Sequence, residues 1–287
     1  MLANPFSLRI FVADGDPDGL RLVERSNWVG KALMYPRALL PQVKQRPELN
    51  QTGVYLLLGP REDGEGDMLY VGEGDPIRPR LESHYAQKDF WTRAVCFVAT
   101  PGQLNKAHVQ FLEANLIRLA KAAKRLPLDN ANQPTEPSLS EADRADMQVF
   151  LDNMLGMLPV LGVHAFEQVS GPVSKAAAML TCKGKGVEAQ GYESSQGFVV
   201  NAGSRAVADV TPTFAQMRGT SELRNDLIAN GVLVLDGATY RFTQDYVFSA
   251  PSAASDIVLG GSTNGRTLWK DAKGRSLKEL QAIEAGL

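Results

Sequence analysis

The sequence predicts an α+β protein with two domains, on three observations. The chain has 287 residues, more than the ~100–200 residues of a typical domain. From Gly53 to about Asn132 the pattern is strand, hairpin, strand, short helix, strand and long helix. Beyond Pro172 this pattern ends, and the sequence is rich in glycines and in short runs that alternate apolar and polar residues. We therefore expect a small mixed or antiparallel three-stranded sheet flanked by helices, followed by a second α+β domain.

These patterns divide the chain into four segments. They are a lead-in strand and helix packing on the core (1–49), the first domain (50–134), a helical linker (135–187) and a C-terminal α+β accessory domain (188–287). Within the linker segment, Met147, Phe150, Leu151 and Met154 recur at helical spacing. That helix is expected either to link the domains or to pack on a core.

Composition excludes several classes of protein. A net charge of −2 argues against a strongly basic coat for nucleic acid. No apolar run approaches the ~20 residues that span a bilayer, and the first residues lack the pattern of a secretory signal. The two cysteines, Cys96 and Cys182, lie far apart and in no metal-ligand spacing. We expect a cytoplasmic protein without a membrane partner.

Positive charge is nevertheless concentrated in two places. One is a predicted helix and the other is the C-terminal tail, and their basic residues are Lys106, Arg118, Lys121, Lys124 and Arg125, and Arg266, Lys270, Lys273, Arg275 and Lys278. A solvated face is the ordinary explanation of such a group. Local contact with phosphates is the alternative, and Lys106 and Lys270 are its candidates.

Two tripeptides are the most informative feature. Gly53-Val54-Tyr55 and Tyr70-Val71-Gly72 each lie in a strand-like run, with a polar hairpin link between the runs. Arg80, His84 and Glu113 follow in order. This arrangement resembles the GIY-YIG nuclease family over roughly residues 50–132, with valine in place of isoleucine in both tripeptides. The resemblance implies that residues 50–134 form a nuclease domain.

The resemblance implies an endonuclease that hydrolyses DNA phosphodiester bonds with one Mg²⁺ or Mn²⁺. Either Tyr55 or Tyr70 would position or deprotonate the attacking water, and Tyr55 is preferred. By the same resemblance Arg80 clamps the scissile phosphate, and its planar fork suits two phosphate oxygens. His84 orients the water or contacts the phosphate. An asparagine after the long helix is also expected, and Asn130 is preferred to Asn132.

Glu113 stands out on the residues alone. On a helical wheel it falls inside an apolar arc that includes Val109, Leu116, Ile117 and Ala120. A carboxylate pointed at a core is costly unless it is paired or binds a metal. In the family, a helix glutamate at this place is the protein ligand of the metal. The alternative is a salt bridge to Arg80 or to a nearby lysine.

Two prolines bear on where the helix that carries Arg80 begins. Pro76 and Pro79 both precede the arginine, and a proline at the fourth helical position would break a backbone hydrogen bond. We expect the helix to begin at Pro79, which puts Arg80 in the first turn, where backbone amides also attract phosphate. Arg78 is the second candidate for the phosphate clamp.

The C-terminal part carries a second resemblance. The run from Asp245 to Gly260, then Asn264-Gly265 and Leu268-Trp269-Lys270-Asp271, is similar to an uncharacterised domain found behind GIY-YIG domains. The similarity spans about residues 188–281. Trp269 and Lys270 are candidate nucleic-acid contacts through base stacking. The commoner fate of such a tryptophan is burial in a core.

Two other functions remain open. The chain could be a non-catalytic nucleic-acid-binding module, or a regulatory protein whose C-terminal domain binds another protein. A binding module has no need of Glu113 in an apolar arc, which favours the endonuclease. One active site cuts one strand, so duplex cleavage would require a homodimer or two encounters.

Overall fold

The computed structural model describes residues 5–61, 67–167 and 179–285. The chain divides into two compact units, residues 1–167 and 168–287. Each unit combines antiparallel sheets with helices, so the expected α+β class is confirmed for both. The boundary falls inside the segment expected to be a linker.

The sheet of the first unit has six antiparallel strands rather than the expected three. They are β1 (Leu8–Val12), β2 (Arg21–Arg25), β3 (Gly30–Pro36), β4 (Gly53–Pro60), β5 (Asp67–Gly74) and β6 (Arg93–Ala99), in spatial order β1-β2-β3-β6-β4-β5. The expected strands are β4, β5 and β6. The other three join them because β3 pairs with β6 along its length, from Gly30 opposite Ala99 to Pro36 opposite Arg93. Residues 32–35 are all buried, so β3 lacks the alternation that reveals a half-exposed strand.

Helices cover both faces of this sheet. They are α1 (Leu40–Val43), α2 (Arg78–Gln87), α3 (Lys106–Ala123) and α4 (Glu141–Met157). Successive strand residues point to opposite faces. On β4, Val54 and Leu56 therefore enter the core shared with α3 and α4, whereas Tyr55 and Leu57 enter the core shared with α1 and α2.

Helix α4 packs on the core of the first unit. Met147, Phe150 and Met154 are buried there, and the ring of Trp28 lies 4.7 Å from that of Phe150. Its first turn is capped by Ser140, whose hydroxyl accepts from the Asp143 amide. The apolar residues at helical spacing therefore face the core of the first unit, and α4 is a core-packing helix.

The second unit contains two small antiparallel sheets and several helices. Its strands are β7 (Leu180–Gly184), β8 (Val187–Ser194), β9 (Gly197–Val200), β10 (Arg205–Val207), β11 (Leu233–Asp236), β12 (Thr239–Phe242) and β13 (Tyr246–Phe248), in the orders β13-β9-β8-β7 and β10-β12-β11. Its helices are α5 (Pro212–Gln216), α6 (Arg218–Ala229), α7 (Pro251–Leu259), α8 (Gly265–Leu268) and α9 (Leu277–Glu284). One apolar core joins both sheets to α7, which contributes Ala254, Ile257 and Val258.

A close contact between the starts of α7 and α8 organises this core. The amide of Gly265 donates to the Ser252 hydroxyl at 3.1 Å, and the indole of Trp269 donates to the Pro251 carbonyl at 3.0 Å. The Trp269 ring is fully buried and lies 4.6 Å from that of Phe198. The ring completes a core, which is the outcome that the sequence favoured for Trp269, and the base-stacking alternative is wrong.

The described residues contain no helix that is both long enough and apolar enough to cross a membrane.

Substitution of Gly265 tests the α7–α8 contact. A Cβ atom there would lie 2.2 Å from the Pro251 carbonyl, so we expect Gly265→Ala to lower the free energy of unfolding by about 1–3 kcal/mol through overpacking. Gly219, in α6, has no atom near its would-be Cβ, and Gly219→Ala should stabilise by up to about 1 kcal/mol. Urea denaturation followed by circular dichroism measures both. Equal changes in the free energy of unfolding for the two substitutions would contradict the close packing at Gly265.

Candidate active site

The two tyrosines of the tripeptides lie on neighbouring strands and on one face of the sheet. In the β4–β5 ladder Tyr55 is opposite Gly72 and Leu57 is opposite Tyr70. The Tyr55 and Tyr70 rings stack with centroids 6.3 Å apart. Tyr55 is fully buried and Tyr70 is partly exposed, so the pair leads from the core to the surface.

Close packing explains the glycine of the second tripeptide. A Cβ atom on Gly72 would lie 2.4 Å from both Cζ and the hydroxyl oxygen of Tyr55. The phenol of Tyr55 therefore occupies the space that a side chain at position 72 would take. Gly53, in the first tripeptide, is confined by the Phe97 carbonyl at 2.4 Å from its would-be Cβ.

His84 holds the hydroxyl of Tyr55. The Tyr55 oxygen and His84 Nε2 are 2.9 Å apart, and the imidazole meets the Tyr70 ring edge-on at 4.7 Å. Burial, together with the charges of Arg80 and Lys88, lowers the pKa of His84 to about 4. The imidazole is therefore neutral near pH 7. When its proton is on Nδ1, Nε2 accepts a hydrogen bond from the Tyr55 hydroxyl.

Arg80 reaches the same two phenols from α2. The helix begins at Arg78, one residue before the expected start, with Pro79 and then Arg80 in its first turn. Interaction with Tyr55 raises the pKa of Arg80, as does Tyr70, while partial burial opposes them. Arg80 is exposed overall, so its guanidinium lies between the tyrosines and solvent, where an anion can reach it.

Glu113 approaches from α3, which packs on the other face of the sheet. Burial, and next the charge of Glu73, raise the pKa of this carboxyl, whereas Arg80 and Lys106 lower it, and the resulting pKa is about 7. Within residues 5–61, 67–167 and 179–285, no hydrogen bond or ion pair to Glu113 is found. The nearby lysine, Lys106, instead binds both oxygens of Glu73, at 2.5 and 2.8 Å. The carboxylate is thus partly buried and without a direct partner.

The chemistry of these residues fits a divalent cation held mainly by substrate and water. In the described part of the chain, no group of three or more histidine, cysteine, aspartate or glutamate residues could hold a metal by itself. Mg²⁺ is commonly bound by one or two carboxylates, several waters and substrate phosphates. Glu113 supplies one such carboxylate, and an unpaired buried carboxylate gains from a cation.

Asn130 supports the site rather than lining it. Its side-chain oxygen accepts from the Val71 amide at 2.9 Å, and its nitrogen donates to the Val71 carbonyl at 2.8 Å. Both amide groups are therefore used to hold the segment after α3 against the edge of β5. Asn132 is exposed.

The remaining predicted contacts lie outside this cluster. Arg78 pairs with Glu82 at 3.3 Å, and Lys106 with Glu73 as described. Lys270, in the second unit, is exposed, and its backbone pairs with that of Thr181. Its contact with nucleic acid stays a prediction.

Sequence reasoning missed three members of the site. Lys88 Nζ lies 4.7 Å from the centroid of the Tyr70 ring and pairs with Asp129, and Glu73 lies near Glu113. Strand alternation was a usable signal for Glu73, because it puts residue 73 on the α3 face, opposite to Tyr70. Lys88 and Asp129 carry no such signal, since both lie in loops.

Residues 180–281 match a family model described as a domain of unknown function (DUF4357). The match begins at β7 and ends within α9, and it agrees with the uncharacterised C-terminal domain expected from about residue 188. No curated protein and no solved structure matches the chain.

The raised pKa of Glu113 predicts a pH-dependent gain in stability for Glu113→Gln. The folded-state pKa lies above the ordinary value of 4.5, so the folded protein binds more protons between pH 4.5 and 7. Wild-type stability therefore falls as pH rises through that window. At pH 8 without metal, Glu113→Gln should be more stable by about 1–3 kcal/mol, with little difference at pH 4.5.

Urea denaturation of both proteins at the two pH values measures this difference. Glu141→Gln, at an exposed position in α4, is the matched control and should show no such change. A wild-type-to-variant difference that is the same at both pH values would contradict a desolvated Glu113.

Proposed function

We propose that the chain is a GIY-YIG-type endonuclease that hydrolyses DNA phosphodiester bonds with Mg²⁺ or Mn²⁺. One observation supports the proposal: Tyr55, Tyr70, Arg80 and His84, from two strands and one helix, contact one another, and the charge of Arg80 acts on Glu113 of a second helix. A phosphodiesterase needs a group to direct water, a cation for the phosphate and a ligand for a metal. The cluster contains a candidate for each.

Arg80 binds the scissile phosphate. It is the exposed cation of the cluster, and its guanidinium offers parallel donors to two phosphate oxygens. The phenols of Tyr55 and Tyr70 lie beside it and orient it toward the site. Lys88 lies over the Tyr70 ring and is paired with Asp129.

Tyr55 directs the attacking water. When the proton of His84 is on Nδ1, the Tyr55 hydroxyl donates to Nε2, and the phenol oxygen accepts a hydrogen bond from the attacking water. Burial, and next Tyr70, raise the pKa of Tyr55, so the group stays a neutral phenol in the free protein. His84 fixes its orientation and is the neutral base within reach of its proton.

Glu113 is the protein ligand of the metal. A bound Mg²⁺ or Mn²⁺ supplies neutralisation of the negative charge that develops on the phosphate oxygens. Lys106 offsets the charge of Glu73, which leaves Glu113 as the carboxylate without a direct partner. Because the pKa of Glu113 is about 7, its ligating form is more abundant at pH 8 than at pH 6.

DNA is the proposed substrate and partner. With one such cluster in the described part of the chain, each encounter cuts one strand, so cleavage of both strands in one encounter requires a homodimer. The cytoplasm is the proposed location, and both cysteines are free and buried, as suits a reducing compartment.

Plasmid nicking tests the proposal. Supercoiled DNA is incubated with the wild type, Glu113→Gln and the control Glu141→Gln, with Mn²⁺ or with EDTA. We expect nicking only with Mn²⁺, and a loss of about 10²–10³-fold in rate for Glu113→Gln, as for removal of one transition-state-stabilising group. Glu141→Gln should cut like the wild type.

The other outcomes separate the alternatives. Nicking that survives Glu113→Gln or EDTA would contradict the assigned metal ligand. Absence of nicking on supercoiled, single-stranded and branched DNA, with DNA binding retained, would replace the enzyme by a non-catalytic binding module. Absence of both activities would leave a protein-binding role.

A further inference from the structure

Two cations meet at Glu82 of α2: Arg78, in the first turn of that helix, and Lys44. Glu82 Oε1 accepts from Arg78 Nε at 3.3 Å and lies 3.4 Å from Lys44 Nζ. Lys44 immediately follows α1, in the N-terminal part of the chain that was expected only to pack on the core. One carboxylate oxygen thus holds two cations together, one from each of two segments.

We propose that Lys44 and Arg78 form a phosphate-contact cluster for the DNA backbone that flanks the scissile bond. This rests on the proposed function, because it assumes that Arg80 binds the scissile phosphate. It assigns a substrate contact to the N-terminal segment, through Lys44.

The charge of the cluster favours an anion. Lys44 and Arg78 together exceed Glu82 by one positive charge, and the first turn of α2 contains no acidic residue. The three side chains are 35%, 33% and 38% exposed, so a phosphate can approach each of them. Because Glu82 contacts Arg78 through Nε, the terminal nitrogens of that guanidinium remain for a ligand, and no described residue accepts from them.

A stabilising role alone is a weak explanation of this cluster. Exposed ion pairs contribute about 0–1 kcal/mol, because solvent screens them and two long side chains must be ordered. Ordering is useful, however, when the ordered groups bind a ligand, since less entropy is then lost on binding. Glu82 orients Lys44 and Arg78 in this way.

The cluster also defines a path for the DNA. Arg78 and Arg80 are both in the first turn of α2, but residues two apart do not face each other on a helix. Arg80 contacts the tyrosines and Arg78 contacts Glu82 on another side. A DNA backbone that contacts both guanidinium groups would therefore cross the first turn of α2.

The test compares two variants that break the same ion pair. Binding of a fluorescent DNA duplex is measured by anisotropy in EDTA, which prevents metal-dependent cleavage, over a range of KCl concentrations. Lys44→Ala should weaken binding and reduce the slope of log K against log salt by about 0.9, the value for one lost phosphate contact. Glu82→Gln should tighten binding several-fold, because glutamine keeps the side-chain oxygen that orients both cations and removes the charge that repels phosphate.

If Lys44 and Arg78 contact phosphates, the two variants change DNA affinity in opposite directions. If the ion pair only supports the structure, both variants weaken DNA binding equally. Lys183→Ala, at an exposed position where the lysine is likewise paired with a glutamate, is the matched control and should leave the slope unchanged. Wild-type binding with an unchanged slope in Lys44→Ala would overturn the cluster and leave the nuclease proposal intact. Failure of the wild type to bind any DNA would overturn both, and nicking would then be absent as well.

Discussion

The register between β4 and β5 is the constraint on which the site depends. It puts Tyr55 opposite Gly72, and the missing side chain at position 72 leaves the space that the Tyr55 phenol fills. From there the hydroxyl reaches His84, and the rings of Tyr55, Tyr70 and His84 pack together. A shift of one residue would turn Tyr70 to the opposite face and separate it from Tyr55. The ladder also has support on its open edge, where Asn130 pairs with Val71.

Electrostatics sets the second requirement, because the site gathers charges in partly buried surroundings. Glu113 is the costly member, since its carboxylate loses water without gaining a direct partner in the described structure. Such a group lowers the stability of the free protein and has most to gain from a bound cation. Groups whose pKa is shifted by desolvation cluster at functional sites. The desolvation cost of Glu113 therefore favours a functional role for this residue.

The sequence singled out residues that the structure brings into contact, but it missed half of the strands in the first sheet. These residues were visible because tyrosines, glycines, an arginine, a histidine and a carboxylate recur in a recognisable order, and residue type carries their chemistry. The six-stranded sheet was not visible, because β3 is buried on both faces and pairs with a strand about sixty residues away. The sequence also could not decide whether Trp269 is buried or exposed. That depends on its packing against Phe198 and Pro251, which only the structure shows.

Paramagnetic relaxation by Mn²⁺ tests the central claim most directly, because it locates the metal without requiring cleavage. In a ¹⁵N-labelled protein at pH 8, substoichiometric Mn²⁺ should broaden the amide signals of Gly72, Arg80 and Glu113 far more than that of Ile10, in β1 at the opposite edge of the sheet. In Glu113→Gln the selective broadening should disappear. Broadening centred elsewhere, or unchanged in Glu113→Gln, would contradict a metal site built on this carboxylate.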